Sequence, residues 1–310
     1  MFRLDGVVCL TLSATILASA CGPREPRLPD MPQFDPDRAW NYLGTQVTFG
    51  PRLAGHQSHA RQLKWMVDQL GFLADTLEVQ YFRASAGGTG EVQFSNVLAR
   101  WNPELKDRVM LVTHWDTRLF ADRDPDPTRH VYPVPGANDG ASGTAVLMEL
   151  AQLFHEQAPT VGVDLLFTDG SERSRDTTQV RLGAREFVSL LADSPRPRWA
   201  IYVDRVGDLD LAIPREPTAA PEVAERIWSV AHRMGRDSIF QDRTGPAVTG
   251  DHTILAAAGI PTAAVVDPEY GPGNRYWRTR SDHIDNTRRS SLLDVGEVLA
   301  AVVYSEQPAP

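Results

Sequence analysis

Histidine and acidic residues recur through this chain at spacings that suit metal chemistry. His114 and Asp116 come first, followed by Asp139, Asp169 with Glu172, Asp204 and Asp267. Zinc accepts imidazole nitrogen and carboxylate oxygen in a low coordination number. Singly, His114 is equally explained as a hydrogen-bonded core histidine, and Asp139 as a turn residue in Asn138-Asp139-Gly140 that caps a helix. The joint pattern predicts a divalent-metal site.

The elements that must position these residues follow from hydrophobic patterning. Continuous apolar runs, typical of strands buried on both faces of a mostly parallel sheet, occupy 109–112, 163–167, 200–203 and 262–266. Helical patterns occupy 39–47, 56–70 (ending at Gly71), 142–156, 183–191, 221–234, 252–258 and 292–304, and 77–82 alternates like a strand. We therefore predict one three-layer α/β domain with a mixed, mainly parallel sheet flanked by helices.

The acidic residues lie where such a fold places its ligand site. His114, Asp169, Asp204 and Asp267 follow predicted strands directly, and ligands bind beyond the carboxyl ends of parallel strands. The long segments 117–138, 205–220 and 267–291 are predicted to form the walls of that site.

Composition limits the class of protein. The chain has 310 residues and a net charge of −9, and its basic residues are scattered. An acidic chain without a basic cluster opposes a nucleic-acid partner. A length of 310 residues suits one large α/β domain, and we expect a monomer.

The N-terminus resembles an export signal. Residues 1–20 have an apolar stretch followed by small residues, and Cys21 comes next, as in a bacterial lipobox. We predict a signal peptide over 1–20, a lipidated Cys21 with a proline-rich spacer over 21–35, and the folded α/β domain over 36–310. The protein would then be an envelope lipoprotein facing the periplasm, attached to the membrane only by lipid; the alternative is an ordinary secretory signal and a secreted protein.

Several motifs together resemble the zinc aminopeptidase family that also contains the animal-type glutaminyl cyclases. The resemblance covers nearly the whole chain after about Tyr42. It rests on Gln46-Val47-Thr48-Phe49-Gly50-Pro51-Arg52 with Gly55 and His59, His114-Trp115-Asp116, Gly136-Ala137-Asn138-Asp139-Gly140-Ala141-Ser142-Gly143, Phe167-Thr168-Asp169-Gly170, Leu182-Gly183-Ala184-Arg185, Asp251-His252 and Trp277.

The resemblance implies site residues. In the aminopeptidases one zinc site corresponds to His114, Asp139 and Asp204. The second corresponds to Asp139, Glu172 and a histidine at position 278. Cyclases of this type keep only the second site, with a carboxylate base assisted by an Asp that matches Asp251. The candidate metal ligands are thus His114, Asp139, Glu172 and Asp204, and the candidate catalytic residues are Ser171, Asp251 and Asp116.

Two positions depart from the family pattern. Ser171 stands where the general base, a glutamate, belongs, and Arg278 stands where the histidine ligand belongs. A serine hydroxyl needs a base of its own, and a guanidinium offers no lone pair to a metal. We predict that Arg278 bridges Glu172 and Asp139 in place of a metal. The chain would then hold one zinc ion at most, or none.

Alternatives remain open around this site. A mononuclear zinc site of His114, Asp139 and Asp204 would need another base, for which Asp251, His252 and His283 are candidates. If the alignment near Trp277 slips, His283 becomes the missing ligand. Solvated charge and carboxylate binding explain Arg118, Arg123 and Arg129 equally well.

The predicted ligand is the N-terminus of a peptide. Trp277, Arg278 and Trp115 are the candidate substrate-binding residues, because a tryptophan matching Trp277 shapes the glutamine pocket of the cyclases. The resemblance implies zinc-dependent glutaminyl-peptide cyclotransferase or aminopeptidase chemistry with a degraded site. A non-catalytic envelope protein that binds peptides or a partner is the competing hypothesis, and a conventional two-zinc aminopeptidase is a third.

Overall fold

A computed structural model of the protein describes residues 28–85, 90–174, 179–193 and 195–308. The predicted signal segment and Cys21 lie outside these residues, as does the first part of the spacer. No helix in the described ranges is both long enough and apolar enough to cross a bilayer.

A six-stranded mixed sheet forms the centre of the molecule, in the order β1-β2-β4-β3-β5-β8. Its strands are β1 (Thr76–Ser85), β2 (Glu91–Trp101), β3 (Arg108–His114), β4 (Gly162–Thr168), β5 (Ala200–Asp204) and β8 (Thr262–Val266). The pairs β4/β3, β3/β5 and β5/β8 are parallel, whereas β1 and β2 run antiparallel to their neighbours. A separate two-stranded sheet pairs β6 (Ile213–Arg215) with β7 (Phe240–Thr244).

Helices cover both faces of the large sheet. The α-helices of the described residues are α1 (Pro36–Phe49), α2 (Gln57–Leu73), α3 (Ala141–Glu156), α4 (Leu182–Ser189), α5 (Pro221–Arg233), α6 (His252–Ala257) and α7 (Arg289–Tyr304). Helices α1, α2, α3, α5 and α7 pack together on one side, and α4 packs with α6 on the other. The predicted three-layer fold with a mainly parallel sheet is confirmed.

The apolar runs are continuous because both faces of their strands are buried. Val109 and Leu111 of β3 face the core beneath α3 and α7, whereas Met110 and Val112 face the core beneath α4 and α6. Successive side chains on a strand point to opposite faces, so each core requires its own apolar set. This burial fixes the register of β3, and with it the position of His114 at the strand end.

The start of α1 shows how local signals fix a boundary. The Asp35 side chain accepts hydrogen bonds from the backbone N–H groups of Asp37 (2.9 Å) and Arg38 (3.1 Å), and Pro36 occupies the first helical position. Glu149 of α3, whose side chain is buried, accepts from Arg38 Nε at 2.6 Å. The cap and the ion pair together dock α1 on α3.

The structure differs from the sequence predictions at several points, among them the short strands β6 and β7, which were not predicted. The prediction that α2 ends at Gly71 is wrong, because the helix continues to Leu73. A glycine weakens a helix by about 1 kcal/mol but does not terminate it where packing continues. Strand β2 was missed because the buried polar residues Ser95 and Asn96 interrupt its apolar pattern.

Candidate functional site

Three of the predicted ligands meet at the carboxyl edge of the sheet. His114 ends β3, Asp204 ends the neighbouring β5, and Asp139 lies just before α3. The His114 Nε2 atom lies 3.0 Å from Asp139 Oδ1 and 3.3 Å from Asp204 Oδ1. One ligand atom from each residue lies within 4.8 Å of the others, and all three residues are buried. The topology thus assembles the set that the strand ends predict.

The donor set fits a divalent cation. Asp204 Oδ1 is buried and has no hydrogen-bond partner in the described part of the chain. Although this oxygen faces His114 Nε2, that nitrogen carries at most one proton and lies closer to Asp139. A buried carboxylate oxygen without a partner is costly. One nitrogen and two carboxylate oxygens converging in this way suit zinc with an open fourth position.

Asp116 holds the histidine from behind. Its Oδ1 atom lies 3.3 Å from His114 Nδ1 and also accepts the backbone N–H of Ser171, while its Oδ2 accepts that of Glu172. A carboxylate on the second ring nitrogen orients a ligating histidine and directs Nε2 toward the metal. These contacts make Asp116 a positioning residue that also fixes the loop after β4, and its predicted catalytic role stays a prediction.

The surrounding carboxylates control the protonation of His114. Burial alone lowers the pKa of His114, but Asp204, Asp116 and Asp139 together raise that pKa well above its ordinary value. A metal ligand must be deprotonated, so protons compete with zinc for this nitrogen.

The turn before α3 requires a glycine at one position. Gly140 caps α3 with a φ of 98°, and a Cβ there would lie 2.7 Å from the Asp116 carbonyl oxygen. Asp139 lies in this turn but does not cap the helix, so the capping explanation for it fails. The Asp282 carboxylate accepts the backbone N–H groups of Asn138 (2.7 Å) and Asp139 (3.2 Å), which fixes the ligand from below.

Glu172 is engaged by arginines. Its Oε2 accepts from Arg118 Nη1 at 2.8 Å, and its Oε1 accepts from Arg278 Nη2 at 2.9 Å. The predicted contact between Arg278 and Glu172 is present, but Asp139 Oδ2 instead accepts from the Trp277 indole at 2.9 Å. The structure does not bring Glu172 into the metal cluster.

Ser171 has the acceptor that its hydroxyl requires. Ser171 Oγ donates to the Asp251 carboxylate, with distances of 3.0 and 2.9 Å to the two oxygens, and Thr168 Oγ1 donates to the same group. Burial raises the pKa of Asp251, and these hydrogen bonds oppose the rise. Asp251 and Ser171 therefore form a carboxylate–hydroxyl pair beside the metal cluster.

The two candidate tryptophans have different environments. Three guanidinium groups surround the Trp277 ring, those of Arg123 at 4.1 Å, Arg278 at 4.4 Å and Arg205 at 4.8 Å from its centroid. Trp115 is fully buried, donates to the Ser95 carbonyl and stacks on His59. Its assignment as a substrate-binding residue is corrected, because its position between His114 and Asp116 directs the ring into the core.

The alternative bases occupy other positions. His283 is exposed at the start of a short 3-10 turn, so the slipped alignment that would make it a ligand is not supported. His252 is buried with its ring stacked on Tyr202. Arg129 is exposed, whereas Arg118 is buried and forms a bidentate pair with Asp122.

A cavity of about 510 Å³ opens beside the cluster. It is lined by Ser171, Glu172, Asp204, Asp251 and Trp277 and by four arginines, Arg118, Arg181, Arg205 and Arg278. Sequence reasoning missed Arg181 and Arg205. The available signal was the place of Arg205, directly after the ligand at the end of β5.

Comparison with known proteins places this geometry in a family. A sequence model described as peptidase family M28 matches residues 96–303, from β2 into α7. The chain belongs to peptidase family M28.

Relatives of this M28 chain include both predicted kinds of protein. It is 23% identical to the glutaminyl-peptide cyclotransferase of Bos taurus, over 84% of this chain and 77% of that one. A glutaminyl cyclase of Bacteroides thetaiotaomicron, bound to N-acetylhistamine, has a TM-score of 0.83 and 31% identity, covering 90% of this chain and all of that one. A Zn-dependent exopeptidase from Parabacteroides distasonis has a TM-score of 0.85 and 27% identity, covering 89% and 100%. The predicted family is confirmed.

One strand-end acid of this M28 domain lies outside the metal cluster. Asp267 follows β8, is buried and accepts the backbone N–H groups of Ala212 (3.0 Å) and Glu269 (2.9 Å). Burial raises the pKa of Asp267 to about 7. An aspartate in the unfolded chain has a pKa of about 4. Between these two pKa values the folded state therefore keeps a proton on Asp267 that the unfolded chain has lost.

We expect the free energy of unfolding to fall as the pH rises from about 4 to 7, because the folded state binds the extra proton in that window. Asp267→Asn should flatten the dependence of the unfolding free energy on pH. The change across this pH window should be on the order of a few kcal/mol at most. Urea unfolding at pH 5 and pH 8 with a chelator present measures it. Asp285→Asn, an exposed matched control, should leave the slope unchanged; an unaltered slope in Asp267→Asn would contradict the assignment.

Proposed function

We propose that this M28 protein binds one zinc ion through His114, Asp139 and Asp204 and acts on peptide N-termini. The reaction would release the first residue, as in an aminopeptidase, or cyclise an N-terminal glutamine, as in a glutaminyl cyclase. The observation that carries the proposal is the convergence of three buried ligand atoms within 4.8 Å, with Asp204 Oδ1 lacking any other partner in the described ranges. Family membership and the Zn-dependent relative support zinc as the metal.

The count of one ion rests on Glu172. Both of its oxygens accept hydrogen bonds from guanidinium groups, which supply positive charge where a second ion would lie. When bound, the single zinc would polarise a carbonyl or activate water.

The protein's own residues would move the proton. Asp251 and Ser171 both line the cavity, and the Ser171 hydroxyl donates to the Asp251 carboxylate. A proton received by Ser171 Oγ can pass to Asp251 as the hydroxyl gives up its own. The raised pKa of Asp251, caused by burial, brings this carboxyl closer to the working pH and makes it a better general base. Asp116 keeps His114 oriented throughout.

A second candidate function is non-catalytic peptide binding in the cell envelope. The pairing of Glu172 with Arg118 and Arg278 and the serine at the base position favour this binding function. Both features replace groups that the chemistry of the family uses. The cavity and its aromatic wall would still bind a peptide.

Metal analysis combined with activity assays tests these proposals. Protein purified without chelators and dialysed against metal-free buffer is analysed for zinc, then assayed for ammonia release from a glutamine-led peptide and for cleavage of amino-acid anilides. One zinc per chain with turnover supports the enzyme. One zinc without turnover supports the binding protein, and absence of zinc overturns the metal site.

The setting of the protein is also a proposal. We propose a monomeric envelope lipoprotein that is anchored by lipid on Cys21 and meets peptides in the periplasm. Labelling with a fatty-acid analogue, compared between the native chain and Cys21→Ala, tests the anchor; equal labelling would refute it.

A further inference from the structure

We infer that the cavity beside the metal cluster recognises a carboxylate group on its ligand, chiefly through Arg205, so that the substrate class is short peptides with a free carboxylate. The inference rests on the proposed function for the reaction but not for binding. The carboxylate has two sources in a peptide, namely the side chain of the first residue and the free C-terminus.

Arg205 is a buried cation with one unsatisfied donor. The residue is 7% exposed, and its Nε has no hydrogen-bond partner in the part of the chain that the structure describes. The nearest carboxylate oxygen, Asp204 Oδ2, lies 3.8 Å from Nε, beyond hydrogen-bond distance. A buried guanidinium normally has its donors paired, because burying an unpaired charge is expensive. Nε itself is shielded, so a ligand acceptor would meet the guanidinium where Arg205 lines the cavity.

The other arginines of the cavity differ in how far they are engaged. All three side-chain nitrogens of Arg118 donate to Asp122 or Glu172, so this guanidinium is paired within the protein. Arg278 donates one Nη to Glu172, but its Nε has no partner in the described residues, and the same holds for Arg181 Nε. The guanidinium groups of Arg205, Arg278 and Arg181 are thus less fully engaged than that of Arg118, and all three residues line the cavity.

Zinc binding would leave Arg205 with less negative charge nearby to pair with. Asp204 and Asp139 are ligands of the proposed ion, and zinc would then balance the charge of these carboxylates. Glu172 is already paired with two arginines. Arg205 would keep its positive charge without a dedicated counter-ion, in a cavity where the field is strong. A carboxylate, which matches the guanidinium fork, restores the balance.

The backbone points to the same group of residues. Arg181, Arg205 and Arg278 have φ values of 55°, 51° and 59°, in the left-handed region. Together with Asn274, they are four of the five non-glycine residues with positive φ in the described ranges, and all four line this cavity. Unfavourable backbone conformations concentrate at ligand sites, where the surrounding structure enforces them.

Three isosteric peptides separate the sources of the carboxylate. Dissociation constants are measured with the zinc-loaded protein for Glu-Ala-amide, Gln-Ala-amide and Gln-Ala with a free C-terminus, by tryptophan fluorescence in the first seconds after mixing. We expect at least one carboxylate peptide to bind about 10- to 100-fold more tightly than Gln-Ala-amide, the range for a hydrogen bond to a charged group. Equal affinities for all three would overturn the inference.

Variants assign the preference to Arg205. Arg205→Gln should abolish the preference for the carboxylate, and Arg205→Lys, which keeps the charge but loses the fork, should retain part of it. Arg83 is an exposed arginine on β1, which lies at the other end of the strand order from β8. Arg83→Gln should leave the preference unchanged. A preference that survives in folded Arg205→Gln would overturn the assignment. Should that variant not fold, an Arg205→Lys protein with the same preference as Arg83→Gln would overturn it instead.

The outcome is separable from that of the proposed function. Tight binding of a carboxylate peptide without turnover would refute the enzyme proposal and support the inference. Turnover of Gln-Ala-amide with no carboxylate preference would do the reverse.

Discussion

Replacing His114 with glutamine is expected to abolish stoichiometric zinc binding and to reduce any turnover by at least about a hundredfold. His114 supplies the one nitrogen ligand of the cluster, and glutamine keeps a hydrogen-bonding side chain for Asp139 and Asp116 without a comparable metal donor. Loss of a mere hydrogen-bond partner of a ligand already costs 10- to 100-fold in affinity or activity. Elemental analysis after dialysis, with peptide turnover measured in parallel, gives both values.

His155 provides the matched control for this variant. It lies on α3, is exposed, and its Nδ1 contacts the Leu73 carbonyl rather than the site. His155→Gln should retain one zinc per chain. A folded His114→Gln protein that still carried one tightly bound zinc would refute the assignment of the ligand.

The double variant Arg278→His with Ser171→Glu is expected to take up a second zinc ion and to gain activity on the order of 10²-fold or more. The change removes the guanidinium from Glu172, adds an imidazole at position 278 and supplies a carboxylate base, whose typical contribution is 10²- to 10⁴-fold. Position 278 has a φ of 59°, and histidine is among the residues that tolerate this region. Zinc stoichiometry and the rate of N-terminal turnover are measured together.

The two single variants divide the expected effect. Arg278→His alone should increase metal content without the full gain in rate, because the base is still absent. Ser171→Glu alone should leave metal content unchanged, since Arg278 still occupies Glu172. If the double variant gained no metal, the arginine would not be what replaces the second ion.

The fold was predictable because a few strong patterns dominate it. Continuous apolar runs identified β3, β4, β5 and β8, since strands buried on both faces have no polar alternation. Once these strands are parallel, topology alone brings His114 and Asp204 to the same edge. By contrast, the pattern of β2 depends on Ser95 and Asn96, and their partners, Asp169 after β4 and Gly183 in α4, are distant in the sequence.

The details of the site were harder to predict for a physical reason. The bond between Ser171 and Asp251 joins residues 80 positions apart, and nothing local to either residue indicates it. Arg205 was missed because arginine is rarely buried without a partner, so no sequence rule expects one there. The role of Trp115 was wrong because a motif gives the neighbours of a residue along the chain but not the side of the sheet on which it points.

The carboxylate of Glu172 joins three separate segments of the protein. Arg118 belongs to the segment between β3 and α3, Glu172 follows β4, and Arg278 lies between β8 and α7. The two ion pairs therefore tie these three segments together at the mouth of the cavity. Because neither pair involves the His114 cluster, we expect the mouth of the cavity to keep its shape whether or not a metal ion is bound there.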